Sequence, residues 1–427
     1  MESFKLINNS IKKQNRLLTK IIPLFLVISI FFSTINIRFV GEIESYLIIL
    51  ILSIISLVLN KNKLMLMDIS IVFLVFLMFF ISALRLITYK QTYEFFIYFI
   101  TFISISFSLS YSKKWHYNFI KYSYIILIIF VAITYFSVFF PVSYENFIIP
   151  LFSDYSQEIV RKLIYYNNEH SGLTSQISFN SFFISFGIGI ILSRIITNKR
   201  NTLNYFLIII FIIALFYTGK RSIYIASIVA SLIMIFISIS NRKRKNLHPA
   251  ASSFMIFGAV FIVLFSIILY FSFNNYDYDI LNELSSNRLN LYAEAFNLIQ
   301  DKIFFGHGLY SAPIYLDNVF TVEISQIHNI YIQLLFEMGI FFSLIIIVLL
   351  FTFYYRTLKL LASNANNGVN YNIYLYISFY CQSLWLLYGL FGNPLTTYPF
   401  LIIYLLSISI TQYYYRINRF MKINIKM

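Results

Sequence analysis

A single cysteine, Cys381, stands in 427 residues, and it lies within a long apolar run. An intramolecular disulfide is thereby excluded, and redox chemistry is not indicated. Charge is also scarce, at 11% of residues, against about a quarter in soluble domains. Acidic residues number only 17, against 32 Lys and Arg. No HExxH, no CxxC and no close set of histidines appears, which argues against a metal site. No internal repeat of the kind seen in inverted-repeat transporters is found.

What the chain has in abundance is apolar and aromatic residues, 59% and 20% respectively. Stretches near the roughly 20 residues needed to cross hydrocarbon run from Ile21 to Val40, Glu42 to Asn60, Ile69 to Ile87, Tyr93 to Ser110, Phe119 to Phe140 and Leu173 to Ile196. Further ones run from Leu203 to Tyr217, Ile223 to Ser240, Ser252 to Phe273, Met338 to Tyr355, Ile373 to Phe391 and Tyr398 to Tyr415. The pattern predicts an all-α integral membrane protein, a single polytopic bundle over residues 1–427 with about twelve transmembrane helices. The first run exceeds a signal-peptide core and lacks a small-x-small cleavage site, so it reads as a retained anchor.

The net charge of +15 does not point to nucleic acid, because the basic residues sit at helix ends rather than on a soluble face. With both termini placed in the cytoplasm, 23 of the 32 basic residues fall inside and nine outside. Of the acids, only Glu2 and Asp68 fall inside. This is the positive-inside bias, so the basicity is topological.

Two long polar segments fall on the outer side, residues 141–172 and 274–327. Segments of this length in a compact protein are usually functional or disordered. The second has internal order: Ser285 and Ser286 can cap a helix beginning near Asn287, with Leu291, Ala295, Leu298 and Ile299 at helical spacing. Gly306, His307 and Gly308 end that segment. A second amphipathic stretch starts at His328, where helical spacing would put His328, Tyr331, Ile332 and Leu335 on one face. Glu337 could meet His328 only if the chain bends near Gly339.

The outer side also holds Tyr217-Thr218-Gly219-Lys220-Arg221-Ser222, a tight turn between two short spans. It lacks the upstream glycine of a nucleotide-binding loop, since Ala214 stands there, and it faces away from cytoplasmic nucleotide. What remains is a pair of cations where cations are otherwise rare, beside a glycine whose amides can approach a ligand. Lys supplies a point charge and Arg a fork matched to phosphate oxygens. The plain alternative is interfacial snorkelling; opposition to the orientation bias favours phosphate recognition.

Arg288 alone reads as the surface charge of a capped helix, and His328 alone as a structural histidine. At an outer membrane boundary, however, a group titrating near neutrality can serve as a general base. His307 reads as a loop residue whose flanking glycines permit backbone contact with a ligand. His170, beside Gly172, carries less. Asp277-Tyr278-Asp279 is similar to a metal-binding DxD but reads as solvated loop charge on the outer side. Asn393, between Gly392 and Pro394, could contact a sugar hydroxyl, while the proline is an ordinary helix stop.

In their order and sidedness, the Thr218–Ser222 turn, Arg288 ahead of Phe305-Gly306-His307-Gly308-Leu309, and His328-Asn329-x-Tyr331-x-Gln333-Leu334-Leu335-x-Glu337-x-Gly339 resemble the bacterial O-antigen and capsule polymerase (Wzy-type) family and the related O-antigen ligases. The resemblance implies glycosyl transfer at the outer face of the cytoplasmic membrane, from sugar activated on polyprenyl pyrophosphate, without cofactor. It implies Lys220, Arg221 and Arg288 as the pyrophosphate grip and His328 as the base. Gly219, Gly306, His307, Gly308, Asn329, Glu337 and Asn393 would line the substrate site. Expected partners are the lipid-linked donor and acceptor, the bilayer, a chain-length regulator and a flippase, with no nucleic acid. Two rivals stand beside a polymerase. A ligase would move finished glycan to a lipid A core. A transporter should carry ionisable groups along a midplane path, whereas Arg38, Arg85 and Glu94 lie near the outer boundary.

Overall fold

The structure is a computed structural model that describes residues 20–32, 34, 51, 113–197, 201–242, 288–309, 311–317, 326–364, 372–395 and 397–424. All regular structure among these residues is helical. Four helices are long and apolar enough to cross a membrane: α2 (Lys113–Phe139), α5 (Ile177–Thr197), α7 (Arg221–Arg242) and α10 (Ile330–Asn364). The shorter apolar helices α1 (Ile22–Phe32) and α6 (Thr202–Tyr217) join them. The expected spans at residues 42–60, 69–87, 93–110 and 252–273 lie essentially outside the described residues, as do Ser285, Ser286 and the Asp277–Asp279 segment.

Helix α5 is the hub, packing on α2, α6, α7 and α11 (Asn372–Tyr388). Its sequence explains the close approach. A Cβ at Gly187 would sit 2.2 Å from a Phe211 ring carbon of α6, and one at Gly189 the same 2.2 Å from Tyr380 of α11. Small residues let helices approach where hydrocarbon offers no hydrophobic drive. Helices α10, α11 and α12 (Tyr398–Asn424) are tied by buried polar side chains. The Thr357 and Thr411 hydroxyls lie 2.7 Å apart, Ser378 is 2.8 Å from Thr411, and the Gln382 amide donates to Thr357 and Ser378 at 3.0 Å. In an apolar interior such groups must satisfy one another. Large apolar side chains on the opposite surfaces, among them Ile129, Phe206, Ile209, Phe236, Leu344 and Val348, are exposed, as lipid-facing residues are.

Residues 141–172 form a small helical cap rather than an irregular loop. It comprises α3 (Pro141–Phe147), a 3-10 turn at Ile149–Leu151, α4 (Asp154–Lys162) and a π turn at Leu163–Asn167. Proline at the first position of α3 has no N–H to leave unpaired. Tyr144, Ile149, Phe152, Val160 and Ile164 give the cap its own apolar cluster.

The second polar segment carries α8 (Arg288–Asp301) and α9 (Ala312–Asp317). Leu291, Ala295 and Ile299 bury the predicted face of α8 against Leu316, Ile327 and Phe336. Helix α10 bends at Gly339, whose φ of 69° breaks the helix. His328 does not lie on that helix: it has φ 57° and precedes the first turn, so it cannot share a helical face with Tyr331 and Leu335. Asn329 ends the extended approach by capping, its side-chain oxygen accepting from the amides of Tyr331 at 3.0 Å and Ile332 at 3.2 Å.

Candidate functional site

The turn between α6 and α7 brings its cations to one end of the bundle because its first residues are held below. Buried Thr218 donates to the Leu215 carbonyl at 2.7 Å and accepts from Ser181 of α5 at 2.8 Å. Gly219 then takes φ 75°, a conformation that disfavours a side chain. Lys220 emerges half-buried, whereas Arg221, the first residue of α7, is exposed.

Arg288 opens α8 and reaches across to the connection after α11, donating from Nη1 to the Phe391 carbonyl at 2.7 Å. That bond fixes its guanidinium near both Lys220 and His328. Burial lowers the Lys220 pKa, repulsion from Arg288 adds to it, and attraction to Glu169 opposes it. The His328 pKa is pushed down to about 4, first by burial and then by the charges of Arg288 and Lys220. The imidazole is therefore neutral at pH 7 and able to accept a proton. Tyr292, one helical turn beyond Arg288, donates to the His328 carbonyl at 3.3 Å. Burial raises the Tyr292 pKa, and Arg288 and Asn329 lie near enough to counter it. Three groups that repel one another when charged are thus gathered from three separate segments. Such an arrangement favours a polyvalent anion.

Other expected site residues serve a second constellation. Gly306 (φ 67°) lies against the bend of α10: a Cβ there would be 2.5 Å from the Glu337 carbonyl carbon, and one at Gly339 2.4 Å from that of Phe304. The bend frees two helical carbonyls, which accept from the neighbouring loop: Phe336 O from His307 N at 2.9 Å and Glu337 O from Gly308 N at 2.8 Å. The His307 ring stacks on Phe336 at 4.7 Å, lies 4.6 Å from Tyr315, and holds the Leu298 carbonyl at 2.8 Å through Nε2. Burial lowers its pKa. An open cleft of about 700 Å³ beside it is lined by Gln300, Asp301, Lys302 and Tyr315, and by none of Lys220, Arg288 or His328. Concavity and cation cluster part company here.

Asn329, Glu337 and Asn393 belong to a relay that braces the mouth of α10. Asn329 donates to the Leu390 carbonyl at 3.2 Å, Gln333 donates to Glu337 at 2.9 Å, and Asn393 donates to Gln333. Tyr331 adds a hydroxyl bond to the Leu386 carbonyl at 2.8 Å. Together these bonds join the loop carrying His328 to the segment that receives Arg288.

Two contributors were not legible in the sequence. Glu169 approaches Gly219 from the cap, where a Cβ at Gly219 would sit 2.5 Å from its Cγ and 3.0 Å from its Oε1. His170 secures that approach: its amide donates to the Tyr217 carbonyl at 3.2 Å and its Nδ1 lies 3.1 Å from the Ser137 hydroxyl. Only the proximity of residues about fifty apart could have revealed it, and no local spacing encodes that.

No curated protein matches the chain. Residues 206–347, about a third of the chain, match the Wzy_C family model, O-antigen ligase. The matched segment holds Lys220, Arg221, Arg288, His328 and Glu337, and the family's work is O-antigen ligase- or polymerase-type polysaccharide assembly on lipid-linked glycan. This segment, in a helical membrane protein, is thus similar to the O-antigen ligase family.

Proposed function

We propose that the chain is a polyprenyl-pyrophosphate-dependent glycosyltransferase that joins lipid-linked oligosaccharide repeat units into an O-antigen or capsular polymer. The carrying observation is the convergence of Lys220 and Arg288 on His328. In this reading Lys220 and Arg288 hold the diphosphate of the donor, and exposed Arg221 adds a donor at the rim. An acceptor sugar hydroxyl attacks the anomeric carbon and passes its proton to His328. The bond from that carbon to the pyrophosphate oxygen breaks, and its electron pair stays on the pyrophosphate, where the fixed cations stabilise it.

The low pKa of free His328 fits this order of events. Burial depresses it first and the two cations add to that; a bound diphosphate offsets the cations, so the imidazole gains basicity when donor is in place. About twelve spans, both termini in the cytoplasm and residues 141–172 and 274–327 facing outward complete the reading. It places the transfer at the outer face of the cytoplasmic membrane, with a flippase delivering substrate and a chain-length regulator as partner.

The family description favours a second reading, transfer of finished glycan to a lipid A core. Purified protein given lipid-linked repeat units alone separates the two. A ladder of product lengths is the polymerase outcome, and no elongation in that mixture removes it.

A further inference from the structure

The carboxylate that the cap sets against the cation cluster has a place in the same reaction. We propose that Glu169 disfavours retention of the pyrophosphate product, an inference that rests on the diphosphate reading above.

Geometry supplies the first support. Glu169 is delivered to the Thr218–Lys220 turn by a braced segment: Asn168 takes φ 54°, the Glu169 amide donates to the Leu163 carbonyl at 2.9 Å, and His170 is pinned to Tyr217 and Ser137. Its side chain is half-buried against Gly219, where a larger residue would strike it. The glycine thus does more than permit a turn. It leaves room for a carboxylate beside the next residue, Lys220, whose charge Glu169 favours while Arg288 opposes it.

Charge accounting supplies the second. The donor is a diphosphate diester, in which each phosphate carries one ionised oxygen. Cleavage of the glycosyl bond leaves a monoester with an additional ionisable oxygen, so the product is the more anionic of the two. A site built from cations alone would hold the product more tightly than the donor and turn over slowly. A fixed carboxylate at its edge repels both, and repels the more highly charged product more.

The test is calorimetric titration of geranyl pyrophosphate, a monoester resembling the product, into the detergent-purified full chain. Glu169→Gln preserves shape and removes charge. It should bind geranyl pyrophosphate on the order of fivefold more tightly than the wild type, while Lys220→Ala binds more weakly. Glu169→Asp, which retains the charge, should stay near wild type. A merely structural role predicts weaker binding in Glu169→Gln, because a disturbed turn loses affinity. Wild-type binding with no gain in Glu169→Gln overturns the assignment of Glu169 alone. Absence of binding to wild type and variant alike overturns the diphosphate site and this inference together.

Discussion

His307 and His328 lie 21 positions apart, yet the fold treats them as opposites. His307 is packed between Phe336 and Tyr315, its ring is bonded to a carbonyl, and its own amide and that of Gly308 close the bend of α10. His328 sits in a left-handed backbone conformation outside the helix, with its ring beside two cations. Strained backbone and uncompensated charge persist only where the surroundings hold them, and such places are frequently functional. A histidine's chemistry is set by its neighbours, and here the neighbours come from α8 and the α6–α7 turn.

The contrast can be broken most forcefully at the cation cluster. His328→Gln should lower the rate of polymer formation by roughly 10²–10⁴, as loss of a general base does. Arg288→Ala and Lys220→Ala should each lower it by about 10²–10³, as loss of a donor stabilising developing charge does. All three should keep a normal melting profile in detergent. Equal losses of rate and stability would put these residues with His307.

The packed half should respond in the reverse sense. Gly306→Ala or Gly339→Ala forces a side chain into backbone at positive φ and should lower stability by about 2–4 kcal/mol, seen as a lower melting temperature. His307→Leu leaves the Leu298 carbonyl without its partner and should cost about 1–3 kcal/mol, with rate falling less than about tenfold. An activity loss at position 307 equal to that at 328, without loss of stability, would erase the distinction.

Smaller effects sharpen it. The folded-state pKa of His328 lies below the ordinary value of 6.5, so the neutral form dominates above 6.5 and is lost as pH falls toward about 4. The pH profile of kcat/KM should accordingly show its acid limb below pH 6. A limb at 6.5 would mean that neither burial nor the two cations act on the ring. Arg221→Ala, at an exposed position, should reduce the rate by less than about tenfold.

Much of this arrangement was legible as pattern. The apolar face of α8 and the turn at Thr218–Lys220 follow from spacing and glycine placement, because each is a local property. The helical continuity assumed for His328 failed because Asn329 caps the helix one residue later, a competition between side chain and backbone that periodicity does not register. The amides of His307 and Gly308 capture the carbonyls released by the kink, a tertiary pairing that local spacing does not register. Glu169 and the Phe391 carbonyl were beyond reach, since their meeting with Gly219 and Arg288 is a matter of tertiary approach.

The most direct measurement is chain elongation by the purified protein supplied only with lipid-linked repeat units, comparing wild type with a Lys220→Gln/Arg288→Gln double variant of unchanged melting temperature. The account predicts a ladder of lengths from the wild type and essentially none from the variant. A ladder of equal intensity from both would contradict it.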